Sequence, residues 1–273
     1  MDKKSVFITG GSGGLGAATV THFAARGWQV FAADYNPETL ARLENIPNVI
    51  PMQVDVSKTS SVEAVCQLVS KQTDALDGVV NMAGVMNVGA MVEMDENAIL
   101  QLLNVNVMGM VRVNRLFLPL VMKCQGRIIN ISSENGWESG GPFNGAYSMS
   151  KHAVEAYSDS LRRELLMLGI KVVKIQPGPF KTSMITTTKE LFARTIETSV
   201  YFKPQLKIIS GMMDKEWEKA SSPEVLAHVV YTAMTARKPH TVYSVRPDPQ
   251  RSFLDLLPAS LADRLIVTIL DKR

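Results

Sequence analysis

Between an apolar run and an amphipathic stretch lies Thr9-Gly10-Gly11-Ser12-Gly13-Gly14-Leu15-Gly16, with five glycines in eight residues. No other feature of the chain restricts its fold so strongly. A strand entering such a turn and leaving as a helix, predicted from about Ala17 to Arg26, exposes bare backbone N–H groups at a helix N-terminus. That is where a pyrophosphate binds. The next apolar run ends in Asp34, eighteen residues after Gly16, where a dinucleotide site places an acid. A carboxylate there accepts hydrogen bonds from both ribose hydroxyls and repels a 2′-phosphate. Tyr35 and Asn36 follow, and the turn holds no Lys or Arg. The charge pattern therefore favours NAD over NADP.

Further along, short β-branched runs alternate with stretches that repeat apolar residues at helical spacing. The predicted strands are Ser5 to Thr9, Gln29 to Asp34, Val49 to Asp55, Gly78 to Gly84, Arg127 to Ser133, Ile170 to Gly178 and Thr241 to Val245. Near-continuous apolar strands separated by helices imply a parallel sheet covered on both faces. Right-handed crossovers then give a doubly wound sheet in three layers, α/β/α. No linker divides residues 1–273, so one domain is expected. The alternation breaks only between about Ser183 and Trp217.

The bulk properties exclude several classes. Twenty-nine basic against 26 acidic residues leave a charge of +3, scattered without a run longer than a doublet. That is too sparse for a nucleic-acid footprint. Cys66 and Cys124 fall in apolar helical stretches without ligand neighbours, so both read as buried reduced thiols. The histidines, His22, His152, His228 and His240, read as isolated, and no metal site is indicated. No uncharged apolar stretch reaches the roughly 18 residues of a membrane span. With a strand beginning at Ser5 and no leader pattern before it, a cytoplasmic location is expected.

Tyr147-Ser148-Met149-Ser150-Lys151 sets a phenol and an ammonium at i and i+4, about 6 Å apart on one helix face. A free phenol has a pKa near about 10. A cation beside it favours phenolate and makes it a usable acid/base group. Ser132-Ser133 ends a central strand at the carboxyl edge, where open parallel sheets bind ligands. A hydroxyl there can steady a substrate oxygen as charge develops. Asn81-Met82-Ala83-Gly84 ends another strand at that edge.

Taken in order, Thr9-Gly-x-x-x-Gly-x-Gly16, Asp55, Asn81-x-Ala-Gly84, Asn106, Ser133, Tyr147-x-x-x-Lys151 and Pro177-Gly178 resemble the short-chain dehydrogenase/reductase family, with its Rossmann-type sheet. The resemblance spans Ser5 to about Val245. It implies a hydride transfer between NAD and an alcohol or ketone carbon. Tyr147 looks like the acid/base and Lys151 like the residue that tunes it and holds the nicotinamide ribose. Ser133 resembles the substrate-orienting serine, in preference to Ser132, and Asn106 the helix asparagine that anchors a water. The resemblance extends cofactor contact over Gly10, Ser12, Gly14, Leu15, Gly16, Asp34, Asp55, Val56, Asn81, Ala83, Gly84, Pro177, Gly178, Phe180 and Thr182. It also implies a homodimer or homotetramer built on the helices that carry Asn106 and Tyr147. Met82 departs from the pattern, which often has asparagine there.

For the substrate, Met184, Ile185, Leu191, Phe192, Tyr201, Phe202, Ile208, Met212, Met213 and Trp217 are expected to supply a lid at about residues 183–217. Trp137, Phe143, Met86 and Met91 are expected near the mouth. Such walls suit a bulky apolar alcohol or ketone, such as a steroid or retinoid. Ser150 to Leu165 is also similar to the hydroxysteroid, retinol and 3-hydroxybutyrate dehydrogenase branch of the family, and that resemblance implies a hydroxysteroid first, with retinol and 3-hydroxy acids as alternatives. The apolar tail, residues 253–270, is interrupted by Asp255, Asp263 and Arg264. It is expected to pack on the lid or a partner subunit, with peripheral contact to a membrane surface as the other use.

Overall fold

Seven short β-branched runs assemble into one parallel sheet in the computed structural model, which describes residues 3–271. The strands are β1 (Ser5–Thr9), β2 (Gln29–Asp34), β3 (Val49–Gln53), β4 (Gly78–Asn81), β5 (Arg127–Ile131), β6 (Lys171–Pro177) and β7 (Val242–Val245). Their order is β3-β2-β1-β4-β5-β6-β7, as the doubly wound expectation requires. The chain reverses direction across the sheet between β1 and β4, which opens a crevice at their carboxyl ends.

Side chains alternate between the two faces of each strand. Val6 and Ile8 of β1, with Ile129 of β5, enter one core, closed by α1 (Gly14–Ala24) and α9 (Pro223–Thr235) through Phe23 and Val230. Phe7 and Phe31 enter the other, against α3 (Thr59–Ser70) and α5 (Met110–Lys123). Phe7 stacks on Phe117 of α5 at 4.0 Å between centroids. Burying each such ring contributes roughly 1.5–3 kcal/mol, so the sheet and its two helical layers carry most of the stabilisation.

Four strands are shorter than predicted because the residues at their carboxyl ends leave the ladder. Val54 and Asp55, Met82 to Gly84, and Ser132 and Ser133 turn into the crevice, as does Gly178. Helix α1 begins at Gly14 rather than Ala17 and ends at Ala24 rather than Arg26. The last glycines of the turn already donate from the first helical turn. The remaining helices are the short α2 (Pro37–Leu40), α4 (Glu96–Leu103), α6 (Gly145–Leu166), α7 (Ser183–Thr198), α8 (Lys203–Glu218), α10 (Pro249–Asp255) and α11 (Ala259–Leu270). The predicted break in alternation is thus a helical hairpin, α7–α8, with a small core of its own at Val88, Phe192 and Leu206.

Two further expectations are corrected. Cys124 is exposed at the end of α5, where its thiol donates to the Leu76 carbonyl at 3.0 Å, and Cys66 is only half-buried. Partial burial pushes both thiols up. His22 and His228 are not isolated, because α1 packs on α9 and their rings meet edge-on at 5.9 Å. The stretch Glu96–Lys123 is long and apolar enough by composition to cross a membrane, although it includes charged residues. In this fold its apolar side packs on the sheet through Val113, Phe117 and Val121.

Candidate active site

The glycine turn forms one wall of the crevice. Gly10 has φ +67°, and a Cβ there would press on the backbone of Ala83 at 2.8 Å, so only glycine lets β1 and β4 diverge this tightly. Gly13 is the N-cap of α1 and offers no side chain to its free N–H groups, nor does the first turn hold an acid. Those donors face the crevice beside Gly14, Leu15 and Gly16 and are available to an anion. A Cβ on Gly14 would meet Thr182 Cβ at 2.6 Å, so the loop after β6 closes directly over the turn.

Asp34 at the end of β2 also lines the crevice. Its two carboxylate oxygens accept from the backbone of Ser12 at 3.0 Å and of Tyr35 at 2.7 Å. The anion is fixed in place with acceptor capacity to spare. Val54, Asp55 and Val56 lie next to it. The Asp55 carboxylate is spent locally, on the Ser57 amide and hydroxyl and on Lys58 at 3.3 Å. Burial raises its pKa, but those bonds win and hold it below the usual carboxylate range.

Two predicted contacts are placed elsewhere. Ser12 turns its hydroxyl to Thr39 at 2.6 Å and is not part of the crevice wall. Asn81 lies one layer below it, donating to Asn114 at 2.6 Å and Asn130 at 2.9 Å, and so ties β4 to β5 and α5. Ala83, Gly84, Pro177, Gly178, Phe180 and Thr182 all line the crevice as expected. Thr182 is the N-cap of α7 and makes no capping bond, which leaves its hydroxyl for a ligand.

Tyr147, Lys151, Ser133 and Asn106 come together from α6, the end of β5, and the wide π-helical turn Asn104–Gly109 that joins α4 to α5. Lys151 is buried, donates to the Ile131 carbonyl at 3.1 Å and sits 5.6 Å from the centre of the Tyr147 ring. Two of its three N–H donors remain for a sugar hydroxyl. Burial lowers it to about 8, so it is still cationic at pH 7. The Ser133 hydroxyl accepts from the backbone and side chain of Asn135, at 3.2 and 3.3 Å, whereas the Ser132 hydroxyl is buried without such a contact. Asn106 uses both ends of its amide to clamp Val85, at 2.8 and 2.9 Å, and donates to Ser150. It braces the loop after β4, so a water anchored here falls to its backbone carbonyl.

Without a bound cofactor, burial pushes the Tyr147 phenol up to about 12, the nearby Ser133 hydroxyl pulls it down, Glu134 raises it and Arg251 lowers it. Without a further positive charge Tyr147 is a proton donor.

Beyond the phenol the cavity opens to about 1720 Å³ in all, more than one small ligand fills. Its apolar wall includes Met86, Phe143, Met184, Leu191, Phe192 and Trp217. Ile185, Met212 and Met213 join them, whereas Tyr201, Phe202, Ile208, Trp137 and Met91 do not. Met91 instead abuts Gly145, and Trp137 faces solvent. The tail supplies what sequence reasoning placed only loosely. Helix α11 lies against α8 and lines the cavity with Ala262, Ile266 and Leu270. Glu134, Asn135, Glu138 and Arg251 were missed altogether, because what joins them is Arg251, more than a hundred residues along the chain from the other three.

A family model described as short chain dehydrogenase matches residues 4–191. This chain is a member of the short-chain dehydrogenase family. It is 34% identical to human (Homo sapiens) retinol dehydrogenase 16 over 287 aligned positions, covering 96% of this chain and 87% of that one. It is also 34% identical to 17-beta-hydroxysteroid dehydrogenase type 6 of Rattus norvegicus over 285 positions, again covering 96% and 87%. Among solved structures, a short-chain dehydrogenase from Streptomyces avermitilis superposes with a TM-score of 0.79 at 26% identity, over 98% of both chains. An actinorhodin polyketide ketoreductase solved with NADPH shares the fold, with a TM-score of 0.76 at 24% identity over 89% of this chain and 96% of that one.

Proposed function

We propose that this oxidoreductase uses NAD to interconvert a lipophilic secondary alcohol, a hydroxysteroid first, and its ketone. The observation that carries the reading is that Tyr147 and Ser133, both buried, line one cavity with the glycine turn and an apolar wall. The residues fit a dinucleotide: uncapped N–H groups at α1, Asp34 for the adenosine ribose, Lys151 for the second ribose and Thr182 for the carboxamide. When bound, the nicotinamide accepts or gives the hydride. The protein's part is to move the proton. Tyr147 gives its proton to a carbonyl oxygen in reduction, or takes one from an alcohol in oxidation, while the Ser133 hydroxyl holds that oxygen. Oxidation needs the phenolate, so its rate rises as pH climbs above neutral.

Asp34 supports NAD over NADP, since no cation in the turn or after β2 answers a 2′-phosphate. A second substrate, retinol, is favoured by the likeness to retinol dehydrogenase 16 and by the same apolar wall. The test is a panel of hydroxysteroids, retinol and small 3-hydroxy acids with NAD or NADP, followed by reduced-nicotinamide absorbance. Turnover of steroids with NAD supports the reading; turnover of small hydroxy acids alone, or equal use of NADP, overturns it. Silence with every alcohol, with NAD still bound, points to a non-enzymatic sensor. The proposal includes a homo-oligomer on the helices of Asn106 and Tyr147, whose outer faces expose Leu100, Met108 and Met149. It also leaves the outward Leu261 and Leu265 of α11 free for peripheral contact with a membrane surface.

A further inference from the structure

The C-terminal segment reaches the reacting groups through one side chain. Arg251 of α10 places Nη1 3.1 Å from Glu134 and Nη2 3.2 Å from Glu138, two carboxylates that are almost wholly buried. The same Nη2 donates to Asn135 Oδ1 at 2.5 Å. Asn135 is the second residue after Ser133, and both of its N–H groups approach the Ser133 hydroxyl, the backbone at 3.2 Å and Nδ2 at 3.3 Å. Around the segment, the Asp248 amide donates to Glu134, Ser252 donates to Glu138, and the Ser139 amide donates to Asp255.

A serine hydroxyl has two acceptor sites and one hydrogen. With Asn135 donating twice, Ser133 has only its hydrogen left to give. That hydrogen is left for a group in the cavity, the substrate oxygen during turnover. The arrangement depends on which way the Asn135 amide faces. A flip would turn its NH₂ toward the donors on Arg251 and Asn144, the latter 2.9 Å from Oδ1. Two donors on one oxygen forbid the flip, and the stronger of them is charged.

We propose that Arg251 is a positioning residue for the reaction: by pinning Asn135 it makes Ser133 a donor aimed at the reacting oxygen, so the reacting group is complete only when the C-terminal segment is docked. This rests on the reading of Tyr147 and Ser133 given above. The charge acts in the same sense as the geometry. Glu134 raises the Tyr147 phenol and Arg251 lowers it, so losing the guanidinium makes phenolate harder to form.

The test uses the full chain with Arg251→Ala, Arg251→Lys, Asn135→Ala and the double alanine variant. Arg251→Ala is expected to lower kcat for alcohol oxidation roughly a hundredfold, as small misplacements at a reacting centre do. KM for NAD stays as it was, and the rising limb of the pH profile moves to higher pH. Arg251→Lys, which keeps the charge, recovers part of the loss. The double variant is no worse than the more impaired single one, because the two residues act through one contact. The second readout needs no turnover. In NAD-bound, carbon-labelled protein, the Tyr147 ζ-carbon signal (assigned by Tyr147→Phe) moves in Arg251→Ala in the direction that Ser133→Ala moves it. If Arg251→Ala changes only thermal stability or KM for the alcohol, with kcat, pH profile and tyrosine signal as in the parent protein, the proposal is overturned. If the parent protein oxidises no alcohol but the tyrosine signal moves, the proposed function fails and the coupling of Arg251 to Tyr147 stands.

Discussion

The two ends of this molecule build a binding wall by different means. At the N-terminal end, β1, the glycine turn and β2 are rigid and local: Asp34 is fixed by the amides of Ser12 and Tyr35, and the core beneath holds Val6, Ile8, Phe23 and Val30. At the C-terminal end, α7, α8 and α11 close the cavity on a core of three buried side chains, and no residue of α11 is fully buried. The first region rests on the larger of the two apolar cores and the second on a small one. The proposed function calls for that division, because a dinucleotide presents constant chemistry while a bulky alcohol would have to enter and leave.

The sharpest break in the comparison is Gly14→Val. It drives a stiff branched side chain into Thr182 and should lift the loop off the turn. NAD binding, measured by titration calorimetry, should fall below detection while the sheet still melts cooperatively. Next comes Asp34→Ser, which removes charge-assisted bonds of about 1.5–3 kcal/mol. NAD affinity should drop roughly ten- to hundredfold, with the gap to NADP narrowing.

Leu206→Ala sharpens the contrast from the other side. A truncated core leucine costs about 2–5 kcal/mol, but here the loss falls on the lid. KM for a bulky alcohol should rise severalfold, with NAD affinity unchanged and faster amide exchange confined to α7 and α8. If exchange quickens equally in β1, the lid is not separable.

The smallest effect is one of pH. Burial raises Glu138 to about 7, against the pull of Arg251. Between the usual carboxylate range and pH 7 the folded chain keeps a proton that the unfolded chain has lost, so stability falls as pH rises through that window. Glu138→Gln should remove a few degrees of this decline in Tm between pH 5 and 8. An unchanged slope would mean that the clasp around Arg251 does not set it.

The same contrast explains what could be read from sequence. Glycines at 10, 14 and 16, the acid at 34, and Tyr147 with Lys151 are bound to their meaning by short fixed spacings along a turn, a strand and a helix. These were legible, as was the seven-strand alternation. Asn81 was misplaced because periodicity does not say whether a strand's last residue faces the crevice or the layer beneath, where it meets Asn114 and Asn130. Spacing shows Lys151 beside Tyr147 but not the burial of the phenol, which pushes it up. The link from Arg251 to Ser133 was invisible, since it spans more than a hundred residues and depends on how α10 docks.

Proton transfer at Tyr147 is tested most directly by one comparison: the parent protein and Tyr147→Phe, each saturated with NAD and given a secondary alcohol, with NADH formation followed in time. The phenol's role predicts a fall in rate of about 10²–10⁴-fold, with NAD affinity equal in the two proteins. Equal rates would contradict it.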